Sequence, residues 1–209
     1  MTSRTPKLLL IACGALAGEI AALRRLGGWD HVELDCLPAK LHATPEAIPE
    51  AVRAKLESAR DRYDRVCVAY TDCGTVGRLD EVLAEYGAVR LPGAHCYELF
   101  AGAERFAALH EAEPGTFYLT DFLARHFDRL VIQGLSLDRY PELLPHYFGN
   151  YRRVVHLAQR DSPALRARAR ECARRLGLAF ESRPVGLGPF ERALAAAGVG
   201  CRRAEGTPA

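Results

Sequence analysis

The sequence has no apolar run long enough to span a membrane, and none of its cysteines are paired at the Cys-x-x-Cys spacing of a compact metal knuckle. Its longest apolar stretches are short and broken by glycine or charge. Charge of one sign is missing as well: 28 Lys and Arg face 26 Asp and Glu, a formal net charge of +2. That balance leaves no basic or acidic tail, and no nucleic-acid-binding motif accompanies it. Gly-x-Gly-x-x-Gly, Gly-x-x-x-x-Gly-Lys-Ser/Thr and Gly-x-Ser-x-Gly are all absent, so dinucleotide binding, triphosphate binding and the serine nucleophile elbow have no support.

What is present is a chain of 209 residues, 49% hydrophobic and 26% charged, suited to one α/β domain over 1–209 with a frayed tail from about 199. The N-terminal MTSRTPKLLLIACGALAGEI has a signal-like start, but Glu19 follows the apolar run too soon. It reads as a first buried strand in a cytoplasmic protein without a membrane partner. A reducing compartment and an odd count of seven cysteines both argue against a disulfide framework. Strands are expected at 7–12, 31–37, 65–71, 88–91, 130–134, 154–158 and 179–183. Helices are expected at 15–26, 49–60, 79–86, 99–110, 120–127, 162–176 and 190–197. This alternation predicts βαβ units and a mainly parallel open sheet flanked by helices. Arg166, Arg168, Arg170, Arg174 and Arg175 fall on one of these helices, as a solvated face.

An internal βα repeat carries the chemistry. LLLIACGALAGEI and VCVAYTDCGTVGRLDEV each run from an apolar strand through a Cys-Gly turn into a helix, and VRLPGAHCYELFAG is a looser third copy. Ligands of open α/β sheets collect beyond the carboxyl ends of the strands, where Cys13, Cys73 and Cys96 all fall. Gly14 and Gly74 permit sharp turns and a close backbone approach to a cofactor. His95 and Glu98 flank Cys96, and His42 follows the second strand. Thiolates with imidazole suit zinc, and three thiolates with an open corner also suit an iron–sulfur cluster. The expected ligands are therefore Cys13, Cys73, Cys96 and His95, with Glu98, Asp72 and His42 as proton-transfer or supporting groups. Cys67 and Cys172 read as core, Cys36 is ambiguous and Cys201 is incidental. In EPGTFYLTDFLARHFD, the residues Glu113, Tyr118, Asp121 and His126 form a second acid–base cluster. SLDRYPELLPHYFGNY, with Asp138 and Tyr151, reads either as a wall over the pocket or as packing.

ACGALAGEI, LPAKLHATPEAIPEAV, TDCGTVGRLD, GAHCYELFAG, EPGTFYLTDFL and FGNY, in that order from about Leu8 to Gln159, resemble a bacterial and archaeal family, the domain of unknown function 1638. The resemblance implies no reaction. It implies an association with corrinoid-dependent methyl-transfer systems, whose proteins are then expected partners. Three functions stay open: a metalloprotein acting on a small molecule, a metal-free small-molecule-binding or accessory protein, and an enzyme with a cysteine nucleophile based on His95 or His42.

Overall fold

The computed structural model describes residues 7–200. In place of one sheet it contains two, both parallel. The first is built from β1 (Leu8–Cys13), β2 (Val32–Leu37), β3 (Arg65–Ala69) and β4 (Val89–Arg90) in the order β2-β1-β3-β4. The second is β5 (Thr116–Thr120), β6 (Arg153–Ala158) and β7 (Ala179–Pro184) in chain order. β4 is a short edge strand, in which Val89 and Arg90 pair with β3. β1 is buried from Leu8 through Ala12, as expected of a parallel strand covered on both faces.

The helices are α1 (Ala17–Gly27), α2 (Ile48–Ala59), α3 (Arg78–Glu85), α4 (Cys96–Ala101), α5 (Ala103–Ala112), α6 (Asp121–Arg125), α7 (Leu144–Phe148), α8 (Pro163–Leu176) and α9 (Gly188–Ala196). Local chemistry sets several of their ends. Ser162 Oγ accepts from the Leu165 N–H at 3.3 Å to start α8, Pro163 occupies its first turn, and Gly177 stops it in the left-handed region at φ 70°. Gly102, at φ 82°, splits the helix expected over 99–110 into α4 and α5. No helix of the described residues is long and apolar enough to cross a membrane.

On the first sheet, α2 and α3 cover one face through Ile48, Val52, Leu79 and Val82. The other face packs against α1, α4 and α9 through Ile20, Leu99, Phe190 and Leu194. The chain thus leaves the first sheet, builds the second, and returns its last helix to the first. Val199, expected in the frayed tail, is fully buried in that first core. Of that tail, residues 201–209, with Cys201, lie outside the described residues. The second sheet is covered by α6 and α8 on one face, and by Tyr97, Ala101 and Phe106 of α4 and α5 on the other.

One expected strand is absent and one that was not expected is present. Residues 130–134 are not a strand: Asp128–Ile132 is a π-helical turn whose Val131 enters the second core. The strand that does pair with β6 is β5, within EPGTFYLTDFL.

Candidate functional site

β1, β3 and β4 are adjacent in the first sheet, so the loops at their carboxyl ends are neighbours. Cys13 is the last residue of β1 and Cys96 is the first of α4. Cys73 lies between them in the loop that follows β3. Two backbone bonds join the last two loops: Asp72 N–H donates to the Gly93 carbonyl at 3.1 Å, and Cys73 N–H to the Ala94 carbonyl at 2.9 Å. Cys73 is buried, whereas Cys13 and Cys96 are half-buried.

All three thiols are shifted toward the protonated form, and burial is the main cause for each. They also act on one another. A thiolate at Cys73 raises both Cys13 and Cys96, and one at Cys13 raises Cys96. Hydrogen bonding opposes the shift at all three, through backbone N–H groups and, at Cys13 and Cys73, through side chains as well. Thr71 Oγ1 lies 3.0 Å from Cys73 Sγ, and the Tyr70 hydroxyl favours a thiolate at Cys13. Tyr70 is itself buried, with no partner of normal hydrogen-bond geometry for its hydroxyl. Burial and then Cys13 push that phenol well up. Cys36, next to the end of β2, also raises Cys13. Neither Tyr70 nor Cys36 was selected from sequence. The strand-end rule covers Cys36, one residue before Leu37, while the inward direction of Tyr70 has no sequence signature.

The remaining candidates are placed differently. His42 stands exposed on the 3-10 turn Ala39–Ala43, and both the surrounding protein and the neighbouring His95 disfavour its protonated form. His95, also exposed, is the N-cap residue of α4. Glu98 is committed to capping: its Oε1 accepts from the Ala94 N–H at 3.0 Å and the His95 N–H at 3.3 Å. Asp72 is committed too. It accepts from the N–H groups of Gly74, Val76 and Gly77 and from the Thr75 hydroxyl. These bonds hold a loop in which Cys73 and Val76 sit at φ 52° and 53°. Glu98 and Asp72, expected as proton-transfer or supporting groups, shape the two loops that lead to Cys96 and Cys73. Gly14 packs against backbone: a Cβ there would meet the Leu37 carbonyl at 3.0 Å, and Gly74 rests near Pro45.

The expected ligand set is not assembled as it stands. Among the described residues, no group of three or more His, Cys, Asp or Glu side chains is arranged to hold a metal ion. The thiols act on one another, the Cys73 sulfur engages Thr71, and His95 repels a charge on His42 at the surface.

The second acid–base cluster is divided. Asp121 and His156 form a fully buried pair, Oδ1 to Nε2 at 2.9 Å, and Ser182 Oγ lies 3.4 Å from the other ring nitrogen. Asp121 Oδ2 accepts from the Arg160 N–H at 3.1 Å. Tyr118 stacks into an aromatic group with Tyr97 and Phe106. Glu113 accepts from the Gly115 N–H at a turn. His126 packs on Phe122. Tyr151, from the suggested wall, packs against Phe117 and Phe148 in the second core, and Asp138 is exposed. The α8 arginines are largely engaged within the chain: Arg168 and Arg175 pair with Asp128, Arg174 with Glu171, Arg166 with Asp161, and Arg170 lies over Phe180.

A family model described as protein of unknown function (DUF1638) matches residues 36–194. The matched span takes in His42, Asp72, Cys73, His95, Cys96 and Glu98, and runs past Gln159 into α9. Cys13 and Gly14 precede it. No curated protein and no solved structure matches the chain.

Proposed function

This chain belongs to the DUF1638 family, and we propose that it holds a soft metal, as zinc or an iron–sulfur cluster, on Cys13, Cys73 and Cys96. The observation that carries this reading is the convergence of three thiols from three adjacent strand ends, close enough to raise one another. Mutual repulsion disfavours three thiolates without a counter-charge, and a cation reverses it by displacing the protons. Thiolate donors select zinc or iron–sulfur chemistry over hard cations.

Closing the ligand set requires side-chain rotation, including release of Cys73 from Thr71. A cysteine side chain turns about a single χ1 angle between staggered wells. The Tyr70 hydroxyl is placed to donate to the Cys13 sulfur once it is ionised, an outer hydrogen bond of the kind that tunes metal thiolates. Cys36 or His95 supplies a fourth ligand, or leaves that corner to a small-molecule substrate. His42, held toward its neutral form, is the group suited to accept a proton there. A cysteine nucleophile is the weaker reading, since it needs a thiol shifted down and all three are shifted up.

The test is elemental analysis with a visible spectrum on protein purified without air or a metal-binding tag, beside the Cys73→Ala variant. Near-stoichiometric zinc, or iron with sulfide, is expected in the parent and is lost in the variant. Full metal retention by C73A would overturn the proposal. So would a metal-free parent whose thiols all titrate and which takes up no zinc when offered it; the metal-free binding protein would then replace this reading.

A further inference from the structure

Glu19 is 2% exposed, and its Oε1 has no hydrogen-bond partner. A buried polar atom left without a partner is costly, more so when charged, so a fold retains one where something else compensates. Glu19 lies in the first turn of α1, and the charged groups that act on it come from the segments that follow β5 and β6 of the other sheet. Burial pushes the Glu19 carboxyl up; its own N–H and then Arg160 and Arg125 act against that shift, and Asp121 adds to it. Arg160 passes close to this turn, with its Nη2 3.8 Å from where a Cβ on Gly18 would stand. The segment Gly14–Leu16 touches α6, the helix that ends at Arg125.

Both arginines are exposed, and neither guanidinium makes a hydrogen bond or ion pair among the described residues. This contrasts with the paired arginines of α8. Asp121 does not compete for them, because its two oxygens are taken by His156 and the Arg160 backbone. A buried acceptor thus faces the junction of the two sheets, with two free guanidiniums at its rim. The three segments that carry them follow β1, β5 and β6, at the carboxyl edges where ligands of parallel sheets collect.

We propose that this junction binds a small zwitterion, with its ammonium on Glu19 and its anionic group, carboxylate or phosphate, on Arg125 and Arg160. A simple anion meets the Glu19 carboxylate and a simple cation meets two guanidiniums, so only a molecule bearing both charges satisfies all three side chains. The inference is independent of the thiol centre.

Isothermal titration with β-alanine and O-phosphoethanolamine tests it and tells the two anionic groups apart. Acetate, inorganic phosphate and ethanolamine serve as single-charge controls. At least one zwitterion is expected to bind saturably and about tenfold or more tighter than either of its halves. Glu19→Gln should weaken it by a similar factor, as should R160A at its exposed position. C73A should bind it as the parent does, so this result stands apart from the fate of the metal proposal. The idea fails if neither zwitterion outcompetes its fragments. It also fails if R160A, which needs no change inside the core, binds the zwitterion as tightly as the parent.

Discussion

A single carboxylate, Asp72, organises the loop that presents Cys73. Three backbone N–H groups and the Thr75 hydroxyl donate to it, and these bonds hold its carboxyl below the usual range. A group whose folded pKa is depressed contributes stability above its unfolded value, near about 4, and loses it as pH falls through the lower folded value. Asp72→Ala should therefore cost about 2 kcal/mol at pH 7, typical of lost hydrogen bonds to a charged group. The gap from the parent should narrow as the pH drops below about 4. Urea unfolding at pH 7 and pH 3 reads both effects, and an equal gap at the two pH values would refute the account. The sequence exposes the acid beside the cysteine, but the same Asp-Cys-Gly string fits a proton donor or a loop clamp. Only the direction of the carboxylate separates them. Cys67 and Cys172 are the simpler case: expected as core, they are buried and pushed up to about 11.

At the scale of elements, legibility follows the strength of the local signal. β1, β2, β3 and α8 stand where periodicity and caps put them. β5 was hidden because Thr116–Thr120 is enclosed and runs straight into α6, so its apolar residues merged with the helical pattern. The Leu130–Ile132 run is apolar, with Val131 and Ile132 β-branched, yet β6 already has β5 and β7 beside it, and the segment continues helically into the second core. The site follows the same logic: strand ends located three thiols, while the enclosure of Glu19 and Tyr70 depends on elements distant in sequence. α9 was legible as a helix but its destination was not. Phe190, fully buried, meets Phe100 edge-on with ring centroids 5.2 Å apart. Phe190→Ala should lower stability by about 3–5 kcal/mol in chemical denaturation. A loss below about 1 kcal/mol, the range of a surface change, would mean that α9 does not hold the first core together.

The whole molecule is more strongly coupled than two sheets suggest. The core of the first sheet contains Leu8 from the start of the described chain and Val199 from its end, so it is complete only after the second sheet has been built. α4 serves both sides: Leu99 and Phe100 enter the first core, while Tyr97 and Ala101 pack on the second sheet. Losing either sheet would leave apolar faces of α4 in water, at a cost of roughly 1.5–3 kcal/mol for each large side chain uncovered. Unfolding should therefore be a single transition. Trp29, the sole tryptophan, is buried in the first core and reports on that side alone, whereas far-ultraviolet circular dichroism sums the helices of both. Under urea the two signals should share one midpoint and slope, and F190A should shift them together. If Trp29 fluorescence changes first while most helical signal persists, the first sheet opens independently. The shared α4 would then be a contact surface between two separately stable halves, and the Glu19 junction would be free to open with it.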